Sequence, residues 1–151
     1  MIQCHGAAFC TGGIAGDCGF KALYLDCDTM SAVPLKKMYR THLGGCLAGM
    51  IMEPTVYKEM KESIHMEKDD AYFNSGVILM NLAGWRRENV LKKLLDFYGD
   101  HAGSLFACDQ DTINGTLKGR ILPLSPRYNF LPITGISGII HWYSFAMLTG
   151  R

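Results

Sequence analysis

Four apolar residues, Ala22-Leu23-Tyr24-Leu25, run without interruption into Asp26-Cys27-Asp28. A continuous apolar run this short has no polar face, so it reads as a strand buried on both sides, as in the sheets of layered α/β folds. Two aspartates one residue apart at the carboxyl end of such a strand project into the crevice where α/β sheets bind their ligands. Both the fold class and the first candidate site therefore start from the same seven residues.

The rest of the chain extends that pattern. Gly76 to Leu82 is a second buried strand. Glu88 to Tyr98 reads as a helix, with Leu91, Leu94, Leu95 and Tyr98 at helical spacing and Gly99 as its stop. Asp109 opens another helix, with Ile113 and Leu117 one turn apart and Gly119 past its end. Arg120 to Leu124 is a third strand, placed near an edge by Pro123. Pro54 suits the first position of a further helix, whose Tyr57, Met60 and Ile64 fall on one face and read as packing. Residues 1–20 are rich in glycine and cysteine, lack periodicity and receive no element. Strands alternating with helices predict an α/β layered fold with parallel pairs.

Composition excludes several functions. The 151 residues carry 15 Lys+Arg against 14 Asp+Glu, a formal net charge of +1, which gives no electrostatic case for nucleic acid or an anionic membrane. The 48 % apolar and 19 % charged content is that of a globular domain with a real core. No apolar run is long enough to span a bilayer; the greasiest stretch, Ile136 to Leu148, is short and contains His141. The N-terminal stretch lacks the basic and apolar regions of a signal peptide. The six cysteines make no zinc spacing, and Cys27 and Cys108 read as buried thiols, so a reduced, cytoplasmic protein is expected.

Two hard oxygen donors at Asp26 and Asp28 suit Mg2+ or Mn2+, which in turn bridge the oxygens of a diphosphate. Nine aspartates make the spacing alone a weak signal; its place after the apolar run is what favours a metal. A rival reading takes Asp26 as the nucleophile of a haloacid-dehalogenase-like phosphatase. That pattern wants threonine or valine where this chain has Met30, and Thr29 comes one place early. Other candidates have plain structural accounts. Asp109-Gln110-Asp111 supplies an N-cap (Asp109) and a first-turn acid (Asp111), which would leave Gln110 replaceable without much effect on folding. Asn74-Ser75-Gly76 reads as a turn. His141, between Ile140 and Trp142, reads as a satisfied core histidine.

Taken in order, four linked segments closely resemble glycosyltransferase family 8. They are Tyr24-Leu25-Asp26-Cys27-Asp28-Thr29; Tyr72-Phe73-Asn74-Ser75-Gly76-Val77 with Asn81-Leu82 and Trp85-Arg86; Asp109-Gln110-Asp111 with Asn114 and Lys118-Gly119; and Arg127-Tyr128-Asn129-Phe130. That family includes bacterial lipopolysaccharide glucosyl- and galactosyltransferases, glycogenin and plant galacturonosyltransferases. The resemblance spans residues 21 to about 131 and is silent on the acceptor.

The resemblance implies a Rossmann-like GT-A fold and a retaining, Mn2+-dependent transfer of glucose or galactose from a UDP-hexose to a saccharide or lipid-linked glycan. Mg2+ is the alternative ion. Asp26 and Asp28 match the family's metal-binding aspartates, and His141, in Ile139-Ile140-His141, matches its third ligand. Asn74 matches the asparagine facing the donor sugar, with Cys27, Ser75 and Gly76 beside these positions in the substrate site. Asp109 and Gln110 match the polar pair around the sugar and the reacting carbon, and so are the catalytic candidates.

Residues 1–20 do not resemble the family's upstream nucleotide-binding strand and helix, and only 11 residues separate Asn129 from His141. The expected organisation is therefore an unassigned segment, 1–20, and the C-terminal part of a GT-A catalytic domain, 21–151, without the first nucleotide-binding half. Such a chain is expected to bind UDP weakly and to self-associate through an exposed strand edge. In a longer version it would lie against the inner face of the membrane. The alternative is a catalytically silent fragment that retains a weak divalent-metal site.

Overall fold

The computed structural model of the chain describes residues 20–27, 29 and 34–129. Its elements run β1 (Lys21–Leu25), α1 (Lys36–Tyr39), β2 (Ala48–Met52), α2 (Lys58–Glu62), β3 (Phe73–Asn81), α3 (Leu82–Arg87), α4 (Val90–His101), α5 (Cys108–Thr116) and β4 (Ile121–Pro123), followed by a 3-10 turn at Pro126–Tyr128. The strands form one sheet in the order β1-β3-β2-β4. β3 runs antiparallel to both β1 and β2, and β2 pairs with β4 in parallel. The expected parallel pairing thus occurs at one junction, and the other two are antiparallel. An apolar run reports burial on both faces, and says nothing about strand direction.

Burial on both faces is what the sheet has. On one side Tyr24, Ala48, Met50, Ile78 and Met80 pack with Trp85, Val90, Leu94, Ile113 and Leu117 from the α3–α5 layer. On the other, Leu23, Leu25, Ile51, Val77 and Leu79 meet Met38 of α1, Leu43, Leu124 and Tyr128. β3 is the central plank of this sandwich, and its Val77, Ile78, Leu79 and Met80 are all buried. Ends are tied by specific polar contacts. The Asn81 side chain accepts from Gly84 N at 2.9 Å to cap α3, and Trp85 Nε1 donates to Leu47 O at 2.9 Å.

Several expectations change. β2, Ala-Gly-Met-Ile-Met, was not anticipated, because alanine and glycine are poor strand formers. Tertiary packing makes the strand: a Cβ on Gly49 would stand 2.9 Å from Leu43 and 3.1 Å from Leu124. Pro54 does not open a helix; α2 starts at Lys58, after an extended Tyr57. Met60 and Ile64 do pack, with Met66 and Tyr72, while Tyr57 stays exposed. α4 runs through Gly99 to His101, so that glycine is no stop. Of its expected stripe only Leu94 is buried; Leu91, Leu95 and Tyr98 form an outer row. Gly119, by contrast, does follow α5, in the left-handed conformation (φ +73°) that favours glycine. β4 lies at an edge as expected. Cys27 is exposed, not buried, and Cys108 is half-buried and disulfide-bonded rather than a free thiol. Among the described residues no helix is long and apolar enough to cross a membrane.

Candidate functional site

The site forms where β3 loses its neighbours. Pairing with β1 ends at Leu25 opposite Val77, and Asp26 N donates once more to Gly76 O, at 2.9 Å. On the β2 side the register slips: Met50 faces Ile78, but Ile51 faces Asn74, so Ser75, Gly76 and Val77 bulge out of that ladder. Bulges re-aim side chains and end pairing, and they gather beside functional sites. Asn74-Ser75-Gly76, expected as a turn, is thus the irregular start of the longest strand.

Beyond the end of β1, side chains of α5 take the place of a strand. Asn114 Oδ1 accepts from Phe73 N at 2.8 Å, and its Nδ2 donates to Phe73 O at 2.7 Å. Gln110 Oε1 accepts from Ser75 N at 3.0 Å, and Ser75 Oγ donates to Asp109 Oδ2 at 3.0 Å. Residues 110 and 114 lie one turn apart on the helix, and 73 and 75 lie on one side of the strand, so the two spacings match. The Tyr72 hydroxyl donates to Asp111 Oδ1, which is fully buried. Burial pushes the Tyr72 phenol well above its ordinary range, reinforced by that carboxylate; the Gln110 amide beside it acts in the opposite sense.

The cap of α5 differs from the expected one. Ala107 occupies the N-cap without a side-chain bond, and Asp109 bonds to Ser75 instead. Asp111 reaches back: its Oδ2 accepts from Phe106 N and Ala107 N, both at 2.7 Å, as the acid of a capping box does. Gln110 is likewise no bystander to folding, since it holds Ser75.

Asp26 sits at the end of β1 with Tyr24 on the same side of the strand, and the Tyr24 hydroxyl donates to Asp26 Oδ1 at 2.7 Å. That bond, and then burial, pushes the phenol up to about 12. The other carboxylate oxygen leans over Gly76. A Cβ on that glycine would meet Asn74 Oδ1 at 3.0 Å, Asp26 Oδ2 at 3.3 Å and Asn129 Nδ2 at 3.5 Å, so the missing side chain leaves a small polar hollow. Asn74 is held from three directions: its Oδ1 accepts from Gly76 N at 2.9 Å and from Asn129 Nδ2 at 2.7 Å, and its Nδ2 donates to Glu53 Oε2 at 2.9 Å.

Asp26, Asn74, Ser75, Gly76, Asp109 and Gln110 therefore converge on one stretch of β3. Cys27 follows Asp26 and is exposed. Asp28 and His141 lie outside the described residues, and among those described no group of three or more His, Cys, Asp or Glu is arranged to hold a metal ion. Tyr24, Tyr72, Asp111, Asn114 and Asn129 stand in the segments that carry the family resemblance but were given no role in the site, and Glu53 stands in none of them. The four-residue spacing of Gln110 and Asn114 was the one signal that could have revealed a shared helix face.

The family model described as glycosyl transferase family 8 matches residues 17–138. A putative glycosyltransferase of Haemophilus influenzae is 30 % identical over 117 residues, covering 74 % of this chain and 34 % of its own length. The lipopolysaccharide 1,2-glucosyltransferase of Escherichia coli is 30 % identical over 111 residues, 72 % of this chain and 33 % of its own. Among solved structures, the galactosyltransferase LgtC, in complex with donor and acceptor sugar analogues, superposes with a TM-score of 0.73 at 31 % identity, covering 87 % of this chain and 45 % of that one. The chain spans about a third of the length of these curated relatives. Its mixed sheet and flanking helices are those of the GT-A glycosyltransferase fold. Sequence and structure agree: the chain belongs to glycosyl transferase family 8.

Proposed function

We propose that this chain carries the metal- and sugar-facing part of a retaining hexosyltransferase, which moves glucose or galactose from a UDP-sugar to a saccharide or lipid-linked glycan. The observation that supports it best is the connected set at the end of β1: an aspartate over a side-chain-free hollow, an oriented asparagine beside it, and an Asp109–Gln110 pair bonded to the next residue of the same strand. Relatives named for glucosyl and galactosyl transfer add weight to a hexose donor.

The donor set fits a hard divalent cation. Asp26 Oδ1 accepts from Tyr24, and Oδ2 faces the narrow hollow at Gly76, 3.3 Å from where a Cβ would stand. Asp26 with Asp28 and His141 would hold Mn2+, or Mg2+ in its place, as a carboxylate-imidazole set. When bound, the ion offsets negative charge gathering on the diphosphate leaving group. The protein's own contribution is positional. Asn74 has one carboxamide N–H beyond its bond to Glu53, a donor for a sugar oxygen. Asp109 and Gln110 approach the sugar from α5, where a carboxamide can face an electron-poor carbon without being a strong nucleophile.

Calorimetric titration of the chain with UDP tests the reading. Asp26→Ala and Asp28→Ala are each expected to abolish Mn2+-dependent UDP binding, and His141→Ala to weaken it less. Wild-type affinity in Asp28→Ala refutes the assignment.

A further inference from the structure

A terminal carboxamide can be turned end for end with almost no change in shape, so an asparagine presents a donor or an acceptor to a ligand according to its other partners. Asn74 has partners that decide the matter. Gly76 N can only donate, and it points at Oδ1; the Glu53 carboxylate, when ionised, can only accept, and it meets Nδ2. Asn129, which follows the 3-10 turn Pro126–Tyr128, adds a second donor to Oδ1 at 2.7 Å. Both lone pairs of Oδ1 are then used, and one N–H of Nδ2 is left. Asn129 is itself anchored, its backbone N–H donating to Pro126 O at 3.2 Å. Three separate parts of the chain, the end of β2, the bulge of β3 and the segment after β4, thus converge on one amide.

We propose that Asn129 is a positioning residue, which with Glu53 fixes the Asn74 carboxamide so that it meets the donor sugar as a hydrogen-bond donor. This inference rests on the sugar-nucleotide reading above. The bond joins residues 55 positions apart, so it also ties the segment after β4 to the sugar subsite. Asn129 touches Asn74 and acts through it.

The test uses the 151-residue chain with two variants. Asn129→Ala removes the donor; Asn129→Asp keeps the shape but sets a carboxylate against Asn74 Oδ1. In the ligand-free protein, nuclear magnetic resonance follows the Asn74 carboxamide signals and the exchange of Gly76 N–H. Both variants are expected to broaden the former and speed the latter about tenfold, equivalent to ~1.4 kcal/mol. With Mn2+ present, each variant is expected to bind UDP within about twofold of wild type and to lose about tenfold in affinity for UDP-glucose or UDP-galactose. Unchanged Asn74 signals and Gly76 exchange overturn the proposal, and so does an equal loss of UDP and UDP-hexose affinity. A wild-type chain that binds UDP no more weakly than UDP-hexose refutes the sugar-site reading instead, and the ligand-free spectra tell the two failures apart.

Discussion

Replacing Asn114 by leucine tests whether α5 stands in for a missing strand. Asn114 is 1 % exposed, and its carboxamide is bonded to both backbone polar groups of Phe73, itself 4 % exposed. Leucine fills a similar volume but satisfies neither group. A buried donor or acceptor left unpaired costs about 1–3 kcal/mol, so two cost about 2–6 kcal/mol, against a total stability of roughly 5–15 kcal/mol for a domain. With a urea dependence of about 2 kcal/mol/M, a loss of ~4 kcal/mol moves the unfolding midpoint by ~2 M. Thr112→Val is the control. Thr112 lies on the same helix with the same burial, but its hydroxyl adds a second bond to Cys108 O, a helix carbonyl. Its loss orphans no group and is expected to cost less than about 1 kcal/mol. Urea denaturation followed by circular dichroism gives both values, and hydrogen exchange at Phe73 N reports the local opening. Equal costs for the two substitutions, or a Phe73 amide as protected as in wild type, would refute the stand-in role.

Three further outcomes are expected. Gln110→Ala leaves Ser75 N without its acceptor and lowers stability by about 1–3 kcal/mol, whereas Gln110→Glu keeps an accepting oxygen and stays close to wild type in thermal melts. Gly115→Ala sets a Cβ 2.2 Å from Phe97 Cζ, so it destabilises by about 1–3 kcal/mol despite the usual helix gain of ~1 kcal/mol; a higher melting temperature would contradict the packing of α4 on α5. Burial and the Asp111 bond raise the Tyr72 phenol above its unfolded value, and Tyr24 is raised to about 12. The stability this contributes is complete below about pH 10 and drains away as pH rises through the folded values. Urea midpoints between about pH 9 and about pH 11 should fall, and fall less steeply in Tyr72→Phe.

What could be read from the sequence followed how each signal is encoded. β1, the apolar part of β3 and the helix beginning near Asp109 were legible because burial on both faces, or a 3.6-residue period, is written in consecutive side chains. β2 was not legible. Its Gly49 is required by Leu43 and Leu124, six and 75 positions away, and a glycine beside two methionines carries no local sign of a central strand. Strand direction escaped for a related reason, since alternation and burial are the same whether the neighbour runs up or down. Gly99 misled because glycine marks a helix end only where the backbone turns left-handed; Gly119 does so, and Gly99 stays helical.

The site shows the same division more sharply. Asn74, Asp109 and Gln110 stood out as residue types suited to the chemistry, yet their local accounts as turn, cap and cap neighbour left out what holds them. Each is bonded to a residue distant in sequence. Asp109 bonds Ser75 rather than capping α5, whose N-cap is Ala107, and Asn74 pairs with Ile51 of β2 at the edge of the register slip. A strand that simply continued in register would have buried residues 73–77 between two neighbours. The early end of β1 and the bulge against β2 take Ser75 and Gly76 out of the regular ladders, so side chains of α5 meet the backbone on one edge and the polar residues gather around the hollow at Gly76. The irregularity that hid this segment as a strand is therefore also what would present it to the ligand proposed above.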